Sequence, residues 1–171
     1  MTSLWEFAVE LYGAPSVGEA CLALQDRHGC DVNVILFAAW MGAVRGDKLS
    51  QSDMAEAIAS VQSWRDEIVR PLRAIRRGLK SGPPPAPNEV TEQLRTRIKA
   101  VELESERIEL KQLEAFASKR GSRADEPSEA SRENLLTVIR LFKGGELDAE
   151  ARQLIEVIQS AVAAKIAARA G

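Results

Sequence analysis

The eleven residues VILFAAWMGAV, Val34 to Val44, leave this chain few options. The run is about half of the ~20 residues that cross a bilayer, and at helical pitch it is apolar on every side. A helix of that kind must be enclosed by other helices. Asp31 stands just before it and can cap it, because its carboxylate can accept from the free N–H groups of the first turn. The expected fold class is therefore all-α, an irregular helical bundle with this buried helix at its centre.

The flanking segments carry the amphipathic helices such a bundle needs, and no stretch alternates at period two. Ser3 to Tyr12 places Leu4, Phe7, Ala8 and Leu11 on one face, and GAP ends it. Ser16 and Glu19 have the spacing of a capping box for a helix with Val17, Ala20, Cys21, Leu24 and His28 on one side. Gly29 can stop that helix, since it tolerates the left-handed conformation. After the turn GDKLSQSD, the residues Met54, Ala57, Val61, Trp64, Ile68, Leu72, Ile75 and Leu79 form one apolar stripe. Pro71 interrupts it and predicts a kink between Glu67 and Pro71. Trp5, Trp40 and Trp64 read as core anchors, with Trp5 alone a candidate for exposure.

SGPPPAP, residues 81–87, is an extended, semi-rigid connector. Asn88 then caps one long charged helix to about Ser118, with Leu94, Ile98, Val101 and Ile108 on one seam and Leu103, Leu110 and Leu113 on another. Residues nine apart point in nearly opposite directions, so this helix calls for two partners. The division that follows is a bundle domain over residues 1–120, a flexible linker over 121–134, and a C-terminal helical hairpin over 135–171. The hairpin is either a separate appendage or a cover for the second seam.

Composition excludes more than it identifies. A net charge of −2 provides no global attraction for nucleic acid or an anionic membrane. Two cysteines, without a secretory leader at this N-terminus, fit a reducing cytoplasm better than a disulfide framework. No phosphate-loop, dinucleotide or zinc-protease motif occurs, and one histidine with two cysteines eight residues apart does not make a zinc site. No cofactor or metal is expected.

Two stretches remain as candidate sites. The corner LQDRHGCDVN, residues 24–33, gathers Gln25, Asp26, Asp31 and Asn33 around the only histidine. Helix-corner architecture accounts for most of it, with Asp31 as a cap and Asp26 solvated. Cys30 and His28 lack an orienting group for nucleophilic chemistry. Asn33, a polar group early in the most buried helix, must find a partner. The second stretch is basic: Arg70, Arg73, Arg77 and Lys80 recur at helical spacing. They are either a solvated face, a strip paired with the acidic segment VELESERIEL, or a docking strip for an anionic partner. No aromatic residue interleaves them, which disfavours a single-strand nucleic-acid platform.

The segment LWEFAVELYGAPSVGEACLALQDRHGCDVNVILFAAWMG, residues 4–42, resembles a family of small proteobacterial proteins described only as a domain of unknown function. That family's shared pattern is LW-FA--LY--P-V--ACL-LQD--G-DVN-LLF--W-G. The resemblance extends thinly to Trp64, Pro71 and Leu72 and is compositional beyond them. It implies no activity, fold or ligand. It does imply that Gln25, Asp26, Gly29, Asp31 and Asn33 are shared positions, and that His28 and Cys30 are not. The expectation is a non-enzymatic cytoplasmic interaction or regulatory protein that meets a protein partner or itself. An acidic protein surface is favoured over nucleic acid, and no membrane is involved. A small-molecule site at the Gln25–Asn33 corner is the alternative, followed by nucleic-acid binding through Arg70–Lys80.

Overall fold

A computed structural model describes residues 2–118, 121–124 and 126–170. Its centre is α3 (Val32–Ala43), buried continuously from Asn33 to Gly42, with α1 (Leu4–Tyr12) and α2 (Val17–His28) packed beside it. Asp31 caps α3 as the sequence implies, accepting from the N–H groups of Asn33 and Val34. Gly29 closes α2 at φ 67°, where a residue with a Cβ would be strained. The reciprocal capping box belongs to Ser3 and Glu6 on α1. Ser16 forms none, because its own backbone is left-handed at φ 63° and its side chain makes no capping bond.

The C-terminal helices are part of this packing. α7 (Pro127–Lys143) lies along α3, and α8 (Ala149–Ala170) packs on α2 and α7. The contact between α3 and α7 is so close that a Cβ on Gly42 would stand 2.0 Å from the Ser131 backbone nitrogen. The polar stretch read as a linker is thus helical from Pro127 and buries Ala130, Ser131 and Asn134. Small residues are there because the backbones nearly touch. Asn134 ties in the preceding turn: its Oδ1 accepts from Leu49 N–H at 2.9 Å, and its Nδ2 donates to the carbonyls of Asp47 and Ala38. A two-residue antiparallel pair, β1 (Asp47–Lys48) with β2 (Ser122–Arg123), sits next to it. Residues 1, 119 and 120 of the expected bundle domain, 125 of the expected linker and 171 of the expected hairpin lie outside the described residues.

The kink expected before Pro71 is a π turn. α4 (Gln51–Trp64) runs into Arg65–Val69, where Arg70 N–H donates to the Arg65 carbonyl five residues back, and α5 (Arg70–Gly78) follows. Proline has no N–H for the Glu67 carbonyl and its ring crowds that turn, and the wider turn absorbs both defects. The extra residue also shifts which side chains face inward. The sequence stripe continues through Trp64, Ile68 and Ile75, but Ile68 is 38 % and Ile75 52 % exposed. Arg65 and Val69 are buried instead, and Arg73 and Arg76 are half-buried beyond them.

That shift decides the partner face of α6 (Glu89–Ala117), which Asn88 and Thr91 cap reciprocally. Near its C-terminal end Leu110, Leu113 and Ala117 join the core. Beside the arginines of α5, its buried positions are Glu102, Ser105 and Glu109. The two expected apolar seams are therefore not both covered: Leu94, Val101, Leu103 and Ile108 are exposed, and carboxylates occupy the buried edge. Among the described residues no helix is long and apolar enough to cross a membrane.

Candidate functional site

The two candidate stretches meet. A cavity of about 280 Å³ is lined from the α2–α3 corner by Gln25, Asp26, Cys30, Asp31, Val32 and Asn33, from the π turn and α5 by Arg65, Val69, Arg70 and Arg73, and from α6 by Glu109. It has room for a small ligand.

Its inner wall is a chain of buried polar groups. Asp31 Oδ1 accepts from Asn33 N–H at 2.8 Å and Val34 N–H at 3.4 Å, while Oδ2 lies 3.7 Å from Arg65 Nε. Asn33 finds its partner in Glu109, donating Nδ2 to Oε2 at 3.0 Å. Glu109 is fully buried. Burial first, then the negative charge of Asp31 and a hydrogen bond with that carboxylate, push its carboxyl up to about 9. A carboxyl raised this far favours its uncharged form at neutral pH. Its Oε1 is buried without a hydrogen-bond partner among the described residues.

Arg65 is 8 % exposed. Its Nε donates to Asp66 Oδ1 at 2.9 Å and its Nη2 to Oδ2 at 3.4 Å, and the guanidinium lies 5.9 Å from the Phe142 ring centre. Its Nη1 is buried without a hydrogen-bond partner among the described residues. Burial opposes its charge, but the bonds and charges of Asp66 and Asp31 outweigh that and hold it above the ordinary arginine value. Arg70 bonds the same Asp66 at 2.9 Å and reaches solvent.

The remaining strip residues divide. Arg73 is bound by Glu102 at 3.1 Å, by Glu106 and by Gln25 Oε1, and Arg76 is bound by Glu102. Burial opposes ionisation of Glu102, but its two arginines overcome this and hold its carboxyl below the usual range. For Glu106 burial prevails over Arg73 and raises it. Arg77 meets Asp26 at 3.7 Å at the surface, and Lys80 is exposed past α5, away from the cavity. The strip thus pairs with the acidic helix at Arg73 and Arg76 and faces outward at Arg70, Arg77 and Lys80.

Cysteine chemistry finds no support in this geometry. Burial raises both Cys21 and Cys30 to about 12, so neither is a thiolate at neutral pH. The Cys30 thiol contacts the His28 carbonyl at 3.8 Å rather than its ring. The imidazole turns to the C-terminal helices, 3.5 Å from Lys143 Nζ and 3.7 Å from Glu150. Among the described residues no group of three or more acidic, histidine or cysteine side chains is arranged to hold a metal ion.

Arg65 and Glu109 were not among the sequence candidates. The signal for Glu109 was its place in the series Glu102, Glu106, Glu109, Leu113, Ala117, one helical face that turns from acidic to apolar. Arg65 had no such signal, since only the π turn brings it inward.

Neither the curated proteins nor the solved structures hold a significant match to this chain. A family model does match, over residues 3–113, a span that begins at the α1 cap, passes through every residue lining the cavity and ends four residues after Glu109. On that match the chain belongs to the family described as "Protein of unknown function (DUF2390)".

Proposed function

We propose that this is a non-enzymatic binding protein that holds a small molecule in the cavity between the α2–α3 corner, the π turn and α6. One observation carries the reading: the cavity gathers the buried polar side chains Asp31, Asn33, Arg65 and Glu109 from three separate elements into one wall. Burying several polar groups at one place costs stability unless they are bonded, and a polar ligand in the cavity offers them further partners. The Asp31–Glu109 pair, held by Asn33, is part of that wall, and both lie within the family match. Catalysis is less well supported, because no activated nucleophile accompanies the Asp31–Glu109 pair.

The test is native mass spectrometry of the full chain purified from its source, compared with the same protein after denaturation. A stoichiometric small molecule, lost in an Arg70→Glu variant that melts normally, is the expected result. A ligand-free protein whose cavity amides stay unshifted against a panel of small acids, amines and nucleosides would remove the reading.

A second reading, a docking or regulatory role toward a protein or a second copy, draws on a different observation. Val90, Leu94, Val101, Leu103 and Ile108 leave much of α6 with exposed apolar surface. Concentration-dependent light scattering separates the two, since self-association on α6 leaves the cavity open. Nucleic-acid binding is the least supported, because Arg73 is committed to Glu102 and Glu106.

A further inference from the structure

We infer that the exposed apolar stripe of α6 is an antiparallel contact with a second copy of this chain, centred on Val101. The inference rests on the docking reading and deepens it, naming the partner, its direction and its register, and it is independent of what the cavity holds. Leu94, Val101 and Ile108 are 47 %, 50 % and 46 % exposed and stand seven residues apart. At about 100° per residue they fall within ~20° of one line, and Val90 extends it to about 27 Å along the helix. Glu102, Ser105 and Glu109, which face the bundle, lie ~40–100° round from that line, and Leu103 lies on the opposite side of the helix.

Spacing and charge together select a second copy. Leu94 and Ile108 are equally far from Val101, so a two-fold axis crossing α6 at Val101 sets Val101 against Val101 and Leu94 against Ile108. That rotation lays each flank of the stripe beside the same flank of the second copy. Arg97 and Glu104 share one flank, ~40° and ~60° from the line. Arg97 is four residues before Val101 and Glu104 three after it. Each arginine therefore comes level, to within about 1.5 Å along the axis, with a glutamate of the second copy. Both side chains are exposed and make no ion pair among the described residues. Two equivalent ion pairs then border the apolar centre. A parallel pair would set this flank against Ile98 and Ser105 and leave both charges unmatched. A partner of another sequence would give no reason for apolar spacing and charge to mirror each other about one residue.

Sedimentation velocity of the full chain, from micromolar to millimolar concentration at low salt, tests this. The expected result is a monomer–dimer transition that Val101→Glu abolishes, with the melting temperature unchanged because the side chain is half exposed. Arg97→Glu should weaken the dimer roughly tenfold, since each charge counts twice across a two-fold axis, and adding Glu104→Arg should restore it. If Val101→Glu fails to fold, this charge exchange decides. Register is read by mixing a Leu94→Cys chain with an Ile108→Cys chain under oxidation. The mixed cross-link should exceed either self-link, with the buried Cys21 and Cys30 taking no part. A dominant self-link at position 94 means a parallel pair and overturns the inference. So does a dimer that Val101→Glu or Arg97→Glu leaves unchanged, or one that the exchange fails to restore. If the chain stays monomeric while Val101→Glu abolishes its binding to a different protein, the inference falls and the docking reading stands. If it stays monomeric and Val101→Glu alters nothing it binds, both fall.

Discussion

The contact of α3 with α7 and the contact of α5 with α6 hold helices together in opposite ways. The first is dry and close, with Gly42 giving up its side chain so that the Ser131 backbone can approach. The second is wide and charged, with Arg73 and Arg76 meeting Glu102 and Glu106. A dry contact loses stability when anything is added to it. A charged contact loses it when one partner is removed, and its strength depends on protonation. The difference places rigidity at the core and adaptability at the cavity.

The largest effect should come from Gly42→Ala. Alanine brings ~1 kcal/mol of helix propensity, but its methyl group would collide with backbone that cannot step aside, and we expect a net loss of at least ~3 kcal/mol in thermal or urea melts. A wild-type melting temperature would show that α7 can stand off from α3. Next, Glu102→Gln should cost about 1–3 kcal/mol, because it leaves two half-buried guanidiniums short of a partner. An unchanged midpoint would mean the charged contact is solvated and inert.

Glu109→Gln sharpens the contrast, since the amide can still accept from Asn33 but cannot ionise. The Glu109 carboxyl is raised, so folding binds a proton that the unfolded chain releases above about 4.5. Wild-type stability therefore falls, relative to the variant, as pH rises from about 4.5 to about 9, by at most ~1.4 kcal/mol per unit. Glu102 has the opposite sign: its lowered carboxyl stabilises above about 4.5, and that contribution is lost as pH falls through its folded value. Against wild type, melts of Glu109→Gln should diverge between about pH 4.5 and 9, and those of Glu102→Gln only below about pH 4.5, in the opposite sense. Curves that stay parallel to wild type in both windows would refute the assignment. The smallest effect belongs to Arg77→Gln, which loses a surface pair with Asp26 and should change stability by less than ~0.5 kcal/mol.

Much of the core was legible because apolar periodicity reports burial directly. The apolar run of α3, the cap at Asp31, the stop at Gly29 and the span of α6 all follow from it. What was missed follows from chemistry that periodicity does not encode. Ser131 and Asn134 look like linker residues, yet they are small and polar because α7 touches α3 and binds the turn at Leu49. The stripe through Ile68 and Ile75 allowed for a kink at Pro71 but kept the regular α-helical spacing across it, so it placed apolar residues inward where Arg65 and Arg73 lie. At the candidate site the sequence showed two separate stretches, the Gln25–Asn33 corner and the basic strip. Only the third helix, with Glu109, joins them.

The five residues Arg65–Val69 also say how such a cavity can arise. Each residue of an α-helix advances the chain by about 100°, so one residue inserted into a straight α4–α5 rod would turn everything after it by more than a quarter of a circle. A single codon gained would have swung an isoleucine face toward solvent and an arginine face toward α6, with no side chain replaced. Its loss would undo the change at one stroke. In this molecule the polarity of the cavity wall is a matter of counting, set by the number of backbone units before Pro71.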